Sequence, residues 1–312
     1  MTETTKEILE KYQVRKSKEQ KTAFIHYVEQ VAKNYGYDVQ IEKGNYGVRN
    51  IVIGNPDTAK VLYTAHYDTC TQLPFPNFIT PKCFALYVLY QLLIVGSAYA
   101  LVLLLWLPLK LMLPFVPAVS EILRFVEIFW LQIGTVFLIG LFFGFPPNKH
   151  TANDNTSGVT AVLDIMKELP QDQRSKVAFV LFDLEESGIL GSKAFASKHK
   201  SIKKNTLVIN FDCVSDGKTM LFALNKTTEK YGELLGKAFV SSDDVVVDID
   251  KVTFYPSDNT SFKNGIGVVA LNKSKFFGML YMDKIHTPKD VVYREENIQF
   301  LTDGAVKLTQ LL

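Results

Sequence analysis

Cysteine, net charge and the common nucleotide and nucleophile motifs are all scarce or missing in this 312-residue chain. The three cysteines, Cys70, Cys83 and Cys213, are odd in number and widely spaced. They make neither a disulfide framework nor a zinc-ribbon spacing, and a reducing compartment fits them best. A net charge of +2 provides no electrostatic footprint for a polyanion, so no nucleic-acid partner is expected. A G-x-S-x-G elbow, a phosphate loop and a dinucleotide fingerprint are absent, which removes three large enzyme classes. The opening M-T-E-T-T-K-E-I-L-E-K has no apolar core, and no cleavable signal peptide is expected.

Charge is missing most sharply from one internal stretch. Between Cys83 and Asn148 only Lys110, Glu121, Arg124 and Glu127 are charged, four in 66 residues, whereas the other 246 residues carry 62. Within it, 83–109 and 128–148 are uncharged runs of 27 and 21 residues, each long enough for the roughly 20 residues that cross a bilayer as a helix. Trp106 and Trp130 suit the interfaces. Two core helices or an apolar lid would also be greasy, but runs of this length and purity are unusual in a soluble core. The segment therefore predicts an inserted transmembrane helical hairpin, 83–148, in a lipid bilayer. A hairpin returns the chain to the side it left, so 1–82 and 149–312 form one discontinuous domain. Lys82 and Lys149 at its feet, with no signal peptide, place that domain in the cytoplasm; Lys110 and Arg124 in the loop pull the other way.

The remainder reads as alternating helix and strand. Apolar stripes over 4–35 predict one or two amphipathic helices. Strands are expected near 38–43, 49–53, 60–65, 176–183, 206–211, 219–224, 245–249 and 267–272. Helices are expected near 157–169, 188–199, 228–240, 259–264 and 295–311. This order argues an α/β three-layer sandwich with a mixed, largely parallel central sheet.

Several acidic and imidazole side chains fall where strands end. V-L-Y-T-A-H-Y-D-T delivers His66 and Asp68 to the end of a buried strand, where residues i and i+2 share a face and a carboxylate can support an imidazole. Asp154, in A-N-D-N-T-S-G, precedes a helix, where polar residues also serve as caps. Glu185 and Glu186 follow V-A-F-V-L-F-D-L. Adjacent carboxylates repel and a cation would relieve them, although acidic residues also suit the start of a helix. Asp212 ends T-L-V-I-N-F-D, and His286 lies in K-I-H-T-P-K-D before the last helix. Of the other histidines, His26 reads as half-buried, and His150 and His199 as exposed.

The succession H-x-D, N-D-N-x-S-G, E-E, D and H-T-P-x-D resembles the co-catalytic zinc aminopeptidases, metallopeptidase family twenty-eight, which also includes the glutaminyl cyclases. The resemblance covers residues 50 to 312 outside the insertion. It implies two zinc ions bridged by Asp154, with His66 and Asp212 on one and Glu186 and His286 on the other. It further implies Glu185 as general base and then acid, Asp68 orienting His66, and a peptide substrate with a free N-terminus. Many relatives carry a tyrosine just before the final histidine, where this chain has Ile285; Tyr255 and Tyr281 are candidates for its role. The stretch S-D-N-T-S-F resembles an S-D-H-x-x-F segment of the family, so Asp258 is a candidate for lining the site. The expected function is a membrane-anchored aminopeptidase. A glutaminyl cyclase-like acyltransferase and a non-catalytic membrane scaffold are the alternatives.

Overall fold

The computed structural model describes residues 1–112 and 145–312 apart from 253–254 and 276–277, and between them 115, 125, 128–130, 132–136, 138 and 140. The chain divides into two compact units, one of Met1–Lys82 with Pro147–Leu312 and one of Cys83–Pro146.

The larger unit opens with α1 (Glu3–Lys11) and α2 (Lys18–Asn34). Ser17 and Gln20 form a reciprocal capping box at the start of α2, satisfying two N–H groups that a helix end leaves orphaned. Strands β1 (Val39–Lys43), β2 (Arg49–Ile53) and β3 (Val61–His66) follow. In the smaller unit the chain forms α3 (Phe84–Met112). Back in the larger unit it forms α4 (Gly158–Glu168), β4 (Val177–Phe182), α5 (Leu190–Lys198), α6 (Lys200–Asn205) and β5 (Leu207–Phe211). Then come β6 (Thr219–Leu224), α7 (Gly232–Ala238), β7 (Val246–Lys251), β8 (Gly265–Lys273), β9 (Leu280–Tyr281) and α8 (Glu295–Leu311).

The sheet order is β1-β2-β4-β3-β5-β8-β6-β7, with β9 on β8. Its centre, β4-β3-β5-β8, is parallel, while β1, β2 and β6 join antiparallel. Successive side chains of the central strands feed two cores, as the pleat requires. Tyr63, Phe179, Ile209 and Phe211 pack beneath α2, α4, α7 and α8. Leu62, Val180, Phe182 and Val208 pack beneath α5 and α6 through Phe195 and Ile202. Helices therefore cover both faces, which is why these strands read as continuous apolar runs.

Two expected helices turn out shorter. Near 228–240 a 3-10 turn, Glu229–Tyr231, precedes α7. The helix expected near 259–264 is the 3-10 turn Asp258–Ser261. Helix α6 was unexpected.

In the smaller unit, α3 is 29 residues long, about 43 Å at 1.5 Å per residue, against roughly 30 Å of bilayer hydrocarbon. Among the described residues it is the one helix long and apolar enough to cross a membrane. Leu92, Leu93, Leu104 and Leu105 are exposed, Leu104 at 66 %. Tyr99 meets Thr135 across the unit at 2.5 Å. A Cβ on Gly134 would stand 2.9 Å from Val102 Cγ1, so a small residue permits the close approach there. Of the second expected span, 128–148, residues 128–130, 132–136, 138 and 140 are helical, while 131, 137, 139 and 141–144 lie outside the described residues.

Candidate metal centre

The site is assembled by strand register. Because β3 runs parallel between β4 and β5, His66 stands opposite Phe182 and Thr64 opposite Asn210. The residues just beyond Phe182 and Phe211 therefore emerge beside His66, at the carboxyl edge where open α/β sheets hold ligands.

His66 is 1 % exposed. Its Nε2 lies 3.3 Å from Asp154 Oδ1 and 3.5 Å from Asp212 Oδ1. Its Nδ1 is 3.1 Å from the Asp68 carbonyl but 3.6 Å from the Asp68 carboxylate, too long for a hydrogen bond. The Asp68 carboxylate instead accepts the N–H groups of Glu185 at 3.0 Å and Glu186 at 3.3 Å. One residue thus orients the imidazole through its backbone and the twin glutamates through its side chain.

Asp154 lies in an irregular turn upstream of α4, whose N-cap is Ser157, so Asp154 does not cap that helix. Its neighbours pin the turn. Asn153 Oδ1 accepts from the N–H of Ser215 and Asp216, and Asn155 joins Phe211, Cys213 and Gly158. Asp290, the last residue of H-T-P-x-D, accepts the N–H groups of Asn153 at 2.7 Å and Asp154 at 3.0 Å. Gly158 is required here, because a Cβ would stand 2.3 Å from the Phe211 carbonyl oxygen.

The two oxygens of Asp154 face different histidines. Oδ2 lies 2.9 Å from His286 Nε2, which is also 3.3 Å from Glu186 Oε2. His286 takes a positive φ of 60°, and its carbonyl accepts from Leu73 N–H at 2.7 Å. Asp212 Oδ2 accepts from the Ser257 hydroxyl at 2.6 Å. His66, Asp154 and Asp212 form one donor group, His66, Glu185 and Glu186 another, and Cys70, Asp154, Glu186 and His286 a third, with ligating atoms within 4.8 Å of one another in each.

Electrostatics favour a cation at this place. Burial opposes charge on His66, yet the nearby carboxylates of Asp154, Asp212 and Asp68 hold the imidazole well above its ordinary pKa. His286, also buried, is held well above its ordinary value by Cys70, Glu186 and Asp154. Burial works against the Asp154 carboxylate too, but His286 and His66 hold it well below the usual range. Burial pushes Glu185 well above a normal carboxyl, against the pull of His66 and with Glu186 adding to the rise. The clustered carboxylates thus draw positive charge to this place. Among the described residues, Glu186 Oε1 is buried without a hydrogen-bond partner. An imidazole and carboxylate set with an orphaned oxygen fits zinc.

The candidate lining residues differ in placement. Asp258 is fully buried, neither oxygen is hydrogen-bonded among the described residues, and the Ser192 hydroxyl beside it pairs with Ser261. Burial, against the pull of His66, pushes its carboxyl up to about 7. Tyr255 is buried and donates its hydroxyl to the Asp212 carbonyl at 3.2 Å. Tyr281 sits on β9 against Phe78. Ile285 packs with Tyr255 and Met282 in an apolar cluster.

Of the other histidines, His26 is exposed and His150 half-buried, and among the described residues neither joins a donor group. His199 is not solvated as expected: its imidazole bonds Glu42 at 2.9 Å and lies on Phe195. Three contributors had escaped the sequence reading. Cys70 lies two residues after Asp68, beyond the end of β3, and Asp290 stands inside a motif already noted. Arg15, fully buried, bonds the Tyr67 carbonyl and Thr156 from a segment with no local signal.

The sequence model for peptidase family M28 matches residues 141–304. No curated protein matches. Among solved structures, the LapA aminopeptidase of Legionella pneumophila is 14% identical with a TM-score of 0.58, over 98% of this chain and 67% of that one. A glutaminyl cyclase of Bacteroides thetaiotaomicron bound to N-acetylhistamine is 14% identical with a TM-score of 0.61, over 97% and 94%. A Zn-dependent exopeptidase of Parabacteroides distasonis is 15% identical with a TM-score of 0.55, over 98% and 94%. At such identities the likeness establishes a shared α/β fold.

Proposed function

The chain belongs to peptidase family M28, and from that premise we propose that it is a membrane-anchored aminopeptidase using two zinc ions. The observation that carries this reading is the division of Asp154, one oxygen toward His66 and the other toward His286. His66, Asp212 and Asp154 would hold one ion, and Glu186, His286 and Asp154 the other. When bound, such a pair supplies Lewis acidity, a more acidic water and a seat for the free α-amine of a peptide.

The chain's own residues do the rest. Glu185 takes the proton of the attacking water and returns it to the leaving amine; its raised pKa suits a group that must hold a proton between those events. Asp68 keeps both glutamates and His66 in register from one position. Tyr255 bonds the Asp212 carbonyl and so positions Asp212, while Asp258 would line the site. The insertion supplies the anchor, with α3 as one span and the second run as its return. The catalytic unit lies on the cytoplasmic side, and hydrophobic peptides are the preferred substrates.

Glutaminyl cyclases among the structural relatives make cyclisation of N-terminal glutamine the second reading. A panel of aminoacyl-arylamides and a glutaminyl peptide, incubated with the zinc-loaded chain, separates the two. Release of free amino acid is expected, with Glu185→Gln losing about 10²–10⁴-fold in kcat while retaining its metal. Pyroglutamate without free amino acid, or a Glu185→Gln variant as fast as the parent, would contradict the reading.

A further inference from the structure

We propose that Cys70 is an additional metal ligand of this centre, adding sulfur to the Glu186–His286 half; the inference rests on the two-zinc reading. Its Sγ lies within 4.8 Å of ligating atoms of Asp154, Glu186 and His286 together. Donors around a tetrahedral zinc stand about 3.6 Å apart when one is sulfur, so small side-chain movements close the set. The orphaned Glu186 Oε1 marks the same half as a place where a cation completes the bonding.

The backbone holds Cys70 there. Its carbonyl accepts from Asn148 N–H at 3.1 Å, Thr71 bridges Pro147, and Leu73 N–H binds the His286 carbonyl. The segment bearing the thiol is therefore tied directly to the loop bearing the histidine. Cys70 is 3 % exposed, which keeps the sulfur from solvent. Cys213 is placed differently, with its thiol donating to Asp212 Oδ1 at 3.1 Å.

On coordination the Cys70 thiol gives its proton to solvent and its sulfur lone pair to the cation, with no change of oxidation state. The two halves then differ in softness. His66, Asp154 and Asp212 offer nitrogen and oxygen, whereas the Cys70 half includes a thiolate and favours softer metals.

The test is a cobalt(II) titration of the metal-stripped full chain in detergent, followed in the near ultraviolet and by metal analysis. The parent and Cys213→Ser should show a sulfur-to-cobalt charge-transfer band, and Cys70→Ser should lose it. Two bound cobalt ions in the parent chain without the band overturn this inference and leave the proposed function standing. So does a band that survives Cys70→Ser or disappears in Cys213→Ser. A chain that takes up no cobalt overturns both.

Discussion

Asp290 touches no expected ligand position except through backbone, yet its removal should disturb the whole centre. Its carboxylate is 1 % exposed and accepts the buried N–H groups of Asn153 and Asp154. Asp290→Ala leaves both unpaired, at about 1–3 kcal/mol each, so a loss of about 2–6 kcal/mol is expected. For a unit of this size, about 3 kcal/mol corresponds to a fall of roughly 6–12 °C in Tm. Asp290→Asn keeps one acceptor and should lose about half as much. The assay is thermal unfolding of chelator-treated protein, which separates the backbone effect from stabilisation by bound metal. Zinc titration of the same samples should show affinity reduced about 10–100-fold, as for outer-shell partners of metal ligands. Unchanged Tm and unchanged zinc affinity in Asp290→Ala would refute the reasoning.

Other perturbations test separate parts of the structure. Lys21 and Asp183 form a buried pair at 2.6 Å, so Lys21→Ala should cost about 3–5 kcal/mol in denaturant unfolding. Burial already raises the Asp183 pKa, so that deficit should shrink as acid protonates the stranded carboxylate. Asp258 has its folded pKa raised from 3.8 to about 7. Its stabilising contribution is complete below the unfolded value and is lost as pH rises through the folded one. Asp258→Asn should therefore exceed the metal-free parent by up to about 4 kcal/mol near pH 8 and match it near pH 3; a difference independent of pH would contradict this. Gly158→Ala forces a Cβ to 2.3 Å from the Phe211 carbonyl oxygen and should cost about 3 kcal/mol or more, read as a lowered unfolding midpoint.

The strands that build the site were legible because both their faces are buried. V-L-Y-T-A-H, V-A-F-V-L-F and L-V-I-N-F are mostly apolar runs without an acidic or lysine/arginine residue, and their observed ends, His66, Phe182 and Phe211, lie within a residue or so of the expected ones. Elements governed by local backbone geometry were harder. Helix α5 starts two residues late because Gly188 and Ile189 take positive φ. The lysine-rich K-H-K-S-I-K-K hid α6, since Ile202 alone carries its buried contact. Side-chain partners distant in sequence were not legible at all. Nothing near Arg15 announces Thr156, 141 positions away. Nothing in H-x-D distinguishes the Asp68 carbonyl from its carboxylate as the partner of His66, because that choice depends on where the Glu185–Glu186 turn places its N–H groups.

The most direct measurement is zinc content per chain, by mass spectrometry of the intact protein and of its Asp154→Ala variant. Two zinc ions in the parent, with both half-sites weakened together by loss of the one shared carboxylate, are what the account predicts. A folded parent chain that retains no zinc, or an Asp154→Ala variant that still holds two as tightly, would contradict it.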